Sequence, residues 1–247
     1  MDRPAAVIAV DRPAVVIAVA VRTAAAEAVR AAQAQRADNT EMFYAIEHIP
    51  APECMQRRVE QLAMLVPVKR REQAFCYKHL HGQYCCLRTW QMLHELLINH
   101  AFLPASFPLS DLTFTIDTYG KPSLSEAVSF SISHTKNALA VAVSDHPIGI
   151  DIEQLISAER LRDRAFLDYT LSPYEQEQLR QLEPDTLQVR KLFTHLWTRK
   201  EALFKAQGTG INVRLLPTIL DLPHPYTFLS SDTDDYCCSI AYLPSDI

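Results

Sequence analysis

Several signatures of common protein classes are missing from this sequence. The six cysteines form no C-x-x-C pair, and four of them stand in two adjacent pairs, which is a poor disulfide framework and favours a reducing compartment. The longest uninterrupted apolar run, Ala14 to Val21, is far shorter than the ~20 residues of a membrane-spanning helix. A net charge of -5 argues against a general nucleic-acid-binding protein, which needs a broad basic surface. We therefore expect a cytoplasmic protein, with neither nucleic acid nor membrane among its partners.

Residues 1–40 differ in composition and sequence pattern from the rest of the chain. Two nearly identical nonapeptides, DRPAAVIAV (2–10) and DRPAVVIAV (11–19), precede an alanine- and arginine-bearing stretch without a convincing apolar face. A targeting peptide is one interpretation, and a disordered or non-native extension is the one we favour. The folded part is predicted to comprise an N-terminal half, 41–146, and a C-terminal half, 147–247.

Hydrophobic periodicity in the folded part predicts alternating groups of strands and helices. Two long helices are expected: one follows the basic run near residue 70, with Gly82 as a possible break, and the other ends at Gly208. Between them, SFSISH and ALAVAVS are predicted to pair as a hairpin, with IGIDIE as the third strand of an antiparallel meander. The predicted fold is α+β, with two similar, pseudo-symmetric halves, each a small antiparallel sheet packed with helices.

The stretch PIGIDIEQL (147–155) carries two carboxylates within an apolar strand. Asp151 and Glu153 stand two residues apart, so they share one face of the strand and repel unless a cation lies between them. Mg²⁺ suits such a pair because it takes oxygen ligands and keeps positions open for water and phosphate. A solvent-exposed strand end is the alternative, and this motif alone does not decide between the two.

The later stretch WTRKEALFK (197–205) places acidic and basic groups on one helix. Glu201 and Lys205 are four residues apart, which puts them on the same face, and Lys200 neighbours them. A solvated surface ion pair is the alternative explanation, and by itself it would be preferred.

Two further motifs carry candidate phosphate-binding groups. FSISHT places Ser133 and His134 at a strand end, and the turn GKP holds Lys121. A serine-hydrolase interpretation is weak, because G-x-S-x-G is absent and adjacent side chains on a strand point to opposite faces.

The order and spacing of these motifs are far more specific than any one of them. GKP, then FSISHT, then GIDIE about fifteen residues later, and WTRKEALFK about forty-five residues further on resemble the 4′-phosphopantetheinyl transferases, in their larger, monomeric, two-halved type. The resemblance covers residues ~110–210 in its motifs and ~41–247 in its fold. It implies an enzyme that moves the phosphopantetheine arm of coenzyme A onto a serine of an acyl or peptidyl carrier protein, with Mg²⁺ as cofactor and 3′,5′-ADP as the other product.

The resemblance also implies roles for individual residues. Asp151, Glu153 and Glu201 match the family's metal-binding acids, and Lys205 matches the lysine that neutralises the leaving phosphate. The candidates for binding coenzyme A are Lys121, Ser133, His134, Lys200, Arg71 and Lys78.

Glu175 has two competing interpretations. Its place between the motifs matches a family glutamate that acts as base or metal neighbour, yet with Ser172 it also forms an S-x-x-E capping box. Glu201 is the competing candidate for the general base.

Other chemistries remain open from sequence alone. His79, His81, Cys85 and Cys86 permit a zinc interpretation, although buried helix cysteines are commoner. A non-catalytic regulator that binds coenzyme A and a metal-dependent phosphohydrolase are the rival functions.

Overall fold

The computed structural model describes residues 42–116, 122–124 and 128–244; the nonapeptide repeat and Lys121 lie outside these residues. The helices are α1 (Pro52–Leu65), α2 (Val68–Phe75), α3 (Leu80–Asn99), α4 (Ala158–Leu161), α5 (Arg164–Thr170), α6 (Pro173–Arg180) and α7 (Leu187–Gln207). The strands are β1 (Met42–His48), β2 (Thr115–Ile116), β3 (Pro122–Ser123), β4 (Ser129–His134), β5 (Ala138–Ser144), β6 (Ile148–Gln154), β7 (Thr227–Asp232) and β8 (Tyr236–Tyr242). No helix in the described ranges combines the length and apolarity needed to cross a membrane.

Two three-stranded antiparallel sheets form the centre of the protein, one in the order β1-β5-β4 and the other in the order β6-β8-β7. Helix α3 covers the first sheet and buries Trp90, Leu93 and Leu97 in a core shared with β4 and β5. Helix α7 packs along the second sheet. The predicted α+β class, with a small antiparallel sheet and helices in each half, is confirmed, whereas the boundary between the halves at residue 146 stays a prediction.

Apolar side chains join the two sheets face to face. Ile148, Ile150 and Ile152 of β6 lie in one buried cluster with the alanines of β5, residues 138, 140 and 142. Alanine has a short side chain, so the β5 face admits the bulkier isoleucines of β6 without a void. The isoleucines thus anchor β6 at the junction of the two sheets.

The predicted β4–β5–β6 meander is wrong in its third strand. Both edges of β5 are already paired, with β1 and β4, and the main chain of β6 pairs with β8 instead. Serine side chains connect β6 to β4: the amides of Ile148 and Ile150 donate to the hydroxyls of Ser129 and Ser131, at 3.3 and 3.0 Å. The alternating serines therefore form a polar seam between the sheets and take the place of a main-chain ladder.

The expected break at Gly82 is also misplaced. Helix α2 ends at Phe75, and α3 begins after His79, whose backbone is extended. Gly82 lies inside α3, where a Cβ would approach the Tyr77 ring to 2.9 Å. The missing side chain makes room for that ring and does not interrupt the helix.

Sequence signals define both ends of α7. The Thr186 hydroxyl accepts a hydrogen bond from the amide of Val189, which caps the first turn. Gly208 adopts a left-handed conformation with φ of 70° at the C-cap, as its position after the apolar stripe predicts.

Gly149 is the point of closest approach between β6 and α7. A Cβ at this position would lie 1.9 Å from the Ala202 carbonyl oxygen and 2.5 Å from the Ala206 amide nitrogen. Both are backbone atoms of a well-packed helix, so they cannot move aside independently. Only glycine lets strand and helix approach this closely.

We expect Gly149→Ala to lower the free energy of unfolding by about 3 kcal/mol or more, because the whole helix must shift to accommodate one methyl group. Chemical denaturation monitored by circular dichroism measures the change. Gly210→Ala is the control: its φ of 66° is unfavourable for alanine but no atom lies within 4 Å, so a loss of only about 1–2 kcal/mol is expected. Equal losses for the two variants would contradict the close-packing explanation.

Candidate functional site

Asp151 is the central group of the candidate site. Its side chain is buried on β6, and its Oδ1 accepts hydrogen bonds from Lys205 Nζ at 2.7 Å and from the Ser133 hydroxyl at 2.8 Å. Its other oxygen, Oδ2, is buried without a hydrogen-bond partner among the described residues. A buried carboxylate oxygen without a partner is costly, so a cation or donor beside Oδ2 would be favourable.

Two further carboxylates lie close to Asp151. Loss of solvent and the charge of Asp151 raise the pKa of Glu153 to about 8 and that of Glu201 to about 7. Lys205 opposes both shifts, and the indole of Trp197 donates a hydrogen bond that favours the charged form of Glu153. Three carboxylates and one ammonium therefore share a small, partly buried space with an excess of negative charge.

This donor set fits a hard divalent cation. Carboxylate oxygens are the protein ligands that Mg²⁺ prefers, and the unpartnered Asp151 Oδ2 and the mutual repulsion of the acids both call for positive charge. No three histidine, cysteine, aspartate or glutamate side chains within the described residues already converge as a complete metal cluster. Water and substrate phosphate would therefore supply part of the coordination, as is usual for Mg²⁺.

Lys205 donates hydrogen bonds to residues of both sheets. Besides Asp151, its ammonium donates to the Ser133 hydroxyl and to the Ile150 carbonyl oxygen, each at 3.1 Å. Partial loss of solvent around its ring, together with the neighbouring His81 and Lys205, lowers the pKa of His134, which follows Ser133 at the end of β4. Ser133 and Lys205 are therefore in direct contact, with His134 nearby, and their role in phosphate binding stays a prediction.

A cleft of about 310 Å³ opens beside these groups. Glu201 and Lys205 line one wall, and apolar side chains including Ile132, Phe204 and Ile211 line the rest. An anionic group could therefore reach the lysine from solvent while an apolar portion of the same ligand lies against the walls.

Glu175 and Lys200 form a separate ion pair. Glu175 Oε2 accepts hydrogen bonds from Lys200 Nζ at 2.6 Å and from the amide of Ser172 at 2.8 Å, and the complete capping box is present. Lys200 is fully buried and also donates to the carbonyl oxygens of Thr170 and Pro217. Desolvation raises the pKa of Glu175 and lowers that of Lys200, because burial outweighs their attraction.

This arrangement favours the helix cap over a catalytic role for Glu175. It also speaks against the predicted contact of Lys200 with coenzyme A. The ammonium has no exposed surface, and its hydrogen bonds join α6 and the segment around Pro217 to α7.

The basic segment 69–78, which begins in α2 and continues past its end, contains both buried and exposed residues. Arg70, which the sequence did not single out, is buried, donates to the Cys86 carbonyl oxygen and lies over the Trp90 ring. Arg71 is half-buried and Lys78 exposed, and their predicted contacts with coenzyme A remain predictions. The structural role of Arg70 depends on contacts with Trp90 and the Cys86 carbonyl oxygen, which only the three-dimensional structure shows.

The zinc interpretation is not supported. His79, His81, Cys85 and Cys86 are all described, and they form no metal cluster. Both cysteines are buried, and desolvation raises the pKa of Cys85 to about 12, so its thiol stays protonated and is a poor ligand.

We expect the protein without divalent cations to lose stability as the pH rises from about 5 to 8. In the unfolded chain the acids titrate near pH 4.5, whereas the folded chain retains protons on Glu153 and Glu201 up to about 8 and 7, so the folded state binds more protons in this range. Glu153→Gln should flatten this decline, and millimolar Mg²⁺ should raise the melting temperature more at pH 8 than at pH 5.5. Thermal scans in the presence of a chelator measure the melting temperature as a function of pH. Glu183→Gln, at an exposed position, is the control. If the slope of melting temperature against pH is the same in Glu153→Gln as in the wild type, the prediction is wrong.

Glu175→Gln distinguishes a cap from a base. Because the substitution leaves the Lys200 charge buried without its partner, we expect a loss of about 3 kcal/mol in the free energy of unfolding. Any measured turnover per folded molecule should be retained within a few-fold. A stable variant without activity would establish Glu175 as catalytic.

Comparison with known proteins identifies the family of this chain. Residues 147–240, which include the four charged groups of the site, match the family model of the 4′-phosphopantetheinyl transferase superfamily. The chain is 31% identical over 163 residues to 4′-phosphopantetheinyl transferase psf-1 of Bacillus pumilus, covering 65% of each chain. It is 32% identical over 149 residues to 4′-phosphopantetheinyl transferase gsp of Aneurinibacillus migulanus, covering 59% of this chain and 57% of that one.

The match therefore spans less than two thirds of the length of those two relatives. A 4′-phosphopantetheinyl transferase of Bacillus subtilis is 30% identical over 159 residues, which cover 63% of this chain and 67% of that protein. The chain belongs to the 4′-phosphopantetheinyl transferase superfamily.

Proposed function

We propose that this protein transfers the 4′-phosphopantetheine arm of coenzyme A to a serine of an acyl or peptidyl carrier protein, in a Mg²⁺-dependent reaction that releases 3′,5′-ADP. The observation that supports the proposal is the hydrogen bond from Lys205 to Asp151, together with the electrostatic influence of Asp151 on Glu153 and Glu201, within the region that matches the family. The names of the relatives give the same activity for those proteins.

The cation would be held by Asp151, Glu153 and Glu201, and it would supply positive charge to the pyrophosphate of coenzyme A. Lys205 and the Ser133 hydroxyl are hydrogen-bond donors beside Asp151, and both would also donate to a phosphate oxygen of coenzyme A. They would stabilise the negative charge that grows on the departing phosphate. His134, at the neighbouring strand end, would bind another phosphate of coenzyme A.

A carboxylate beside the acceptor serine can take its proton. Glu201 lines the cleft, so it is positioned to act as the general base, directly or through a water molecule. The serine oxygen forms a bond to phosphorus, the bond from that phosphorus to the bridging oxygen of the pyrophosphate breaks, and 3′,5′-ADP leaves. Glu175 is not needed for this step.

The decisive assay incubates the purified protein with coenzyme A, Mg²⁺ and several apo carrier proteins, and reads carrier mass. A gain of the phosphopantetheine mass that requires Mg²⁺ is the expected result. If no carrier gains this mass while a known transferase modifies all of them, the proposal is wrong. Calorimetric binding of coenzyme A without transfer would favour a regulator, and release of phosphate without an acceptor would favour a phosphohydrolase.

We expect Asp151→Asn to lower the rate of transfer by about 10²–10³-fold, because the amide cannot supply the charge that holds the cation and orients Lys205. The fold should persist, since removing one negative charge relieves the repulsion of Glu153 and Glu201. Transfer rates and melting temperatures measure the two effects. Glu177→Gln, in an exposed ion pair with Arg180, is the matched control and should be fully active.

A further inference from the structure

His81 connects two basic segments that are far apart in sequence. It stands in the first turn of α3, and its Nε2 lies 3.0 Å from the carbonyl oxygen of Lys136, in the turn between β4 and β5. Its ring meets the ring of His134 edge to face, with centroids 6.3 Å apart and an interplanar angle of 76°. The sequence suggested His81 only as a weak zinc ligand, a role that the structure does not support.

Two partners contact the ring of His81. A carbonyl oxygen only accepts, so Nε2 must be the donor in the contact with Lys136. The buried Cys85 sulfur lies 3.7 Å from Nδ1 and 3.8 Å from Nε2, so it packs against the ring without selecting one nitrogen. The hydrogen bond and the packing contact together restrict the orientation of the ring.

The His81 ring borders the group that the proposed function assigns to phosphate binding. His134 lies at the exposed end of β4, and Ser133 beside it reaches the Asp151 carboxylate. An exposed imidazole at a strand end samples several rotamers, and ordering it upon ligand binding weakens affinity. A rigid neighbour that contacts one edge of the ring reduces that cost in advance.

We propose that His81 is a positioning residue, which holds the β4–β5 turn and the ring of His134 in the orientation that binds a phosphate of coenzyme A. The inference rests on the proposed function and adds to it a residue that contacts no substrate. His81 acts through the Lys136 carbonyl and the His134 ring. It thereby connects helix α3 to the end of β4 that is proposed to bind phosphate.

Isothermal titration with coenzyme A tests the role of His81. His81→Ala should raise the dissociation constant about five- to tenfold, and should raise KM for coenzyme A while kcat at saturation stays unchanged. His81→Gln should restore binding, because its amide nitrogen can donate to the same carbonyl. His79→Ala, two residues earlier and exposed, is the matched control and should bind as the wild type does.

A double-mutant cycle shows whether the effect passes through His134. In the His134→Ala background, His81→Ala should weaken binding no further, since the ring that it positions is gone. Additive losses, or wild-type affinity in His81→Ala, would overturn the proposal. If His81→Ala unfolds, His81→Met replaces it, because methionine matches glutamine in length and lacks the donor.

The outcomes separate this inference from the proposed function. Failure of the wild-type protein to bind or transfer from coenzyme A would count against the function itself. Normal transfer by the wild type together with unchanged affinity in the His81 variants would overturn only the positioning role.

Discussion

The contact between Gly149 and the backbone of α7 is the constraint on which the candidate site depends. Strand β6 carries Asp151 and Glu153, whereas α7 carries Glu201 and Lys205, and the four side chains meet only because strand and helix nearly touch. The same approach explains why Ala202 and Ala206 are small: side chains on this face of α7 must leave the backbone accessible. A side chain at residue 149 would move Asp151 and Glu153 away from Glu201 and Lys205 without altering any charge. The relative position of the charged groups therefore depends on the close packing of strand and helix.

The serine seam gives the second sheet its position relative to the first. Ser129 and Ser131 accept main-chain hydrogen bonds from β6, and Ser133 continues the series by donating to the Asp151 side chain. Side-chain hydroxyls can follow a strand whose main chain is already paired elsewhere, so one strand of each half lies side by side without merging the two sheets. Ser133, the last serine of the seam, is thereby part of the candidate site. Strand β4 thus carries both the serines that position β6 and a serine of the site.

The sequence predicted the charged cluster better than it predicted the topology. Spacing put Asp151 with Glu153 and Glu201 with Lys205 on shared faces. The family resemblance, and not the spacing, joined the strand pair to the helix pair, and the hydrogen bond from Lys205 to Asp151 agrees with that grouping. The partner of β6 was mistaken because a strand shows which face is buried but not which edge is paired, and β1, far upstream, took the edge of β5. The sequence also did not show the surroundings of Lys200. One residue from Glu201, it points to another side of α7, where Glu175 and two carbonyl oxygens surround it.

The charge balance of the site explains why the acids tolerate each other. Burial makes the charged forms of Glu153 and Glu201 costly, and the nearby Asp151 adds to that cost, while a single lysine only partly offsets it. Packing apolar residues there would be more stable, so the protein gives up stability to keep these carboxylates together. Under the proposed function, a divalent cation would neutralise these acids and offset their mutual repulsion. The same repulsion that lowers stability would then favour binding of the cation.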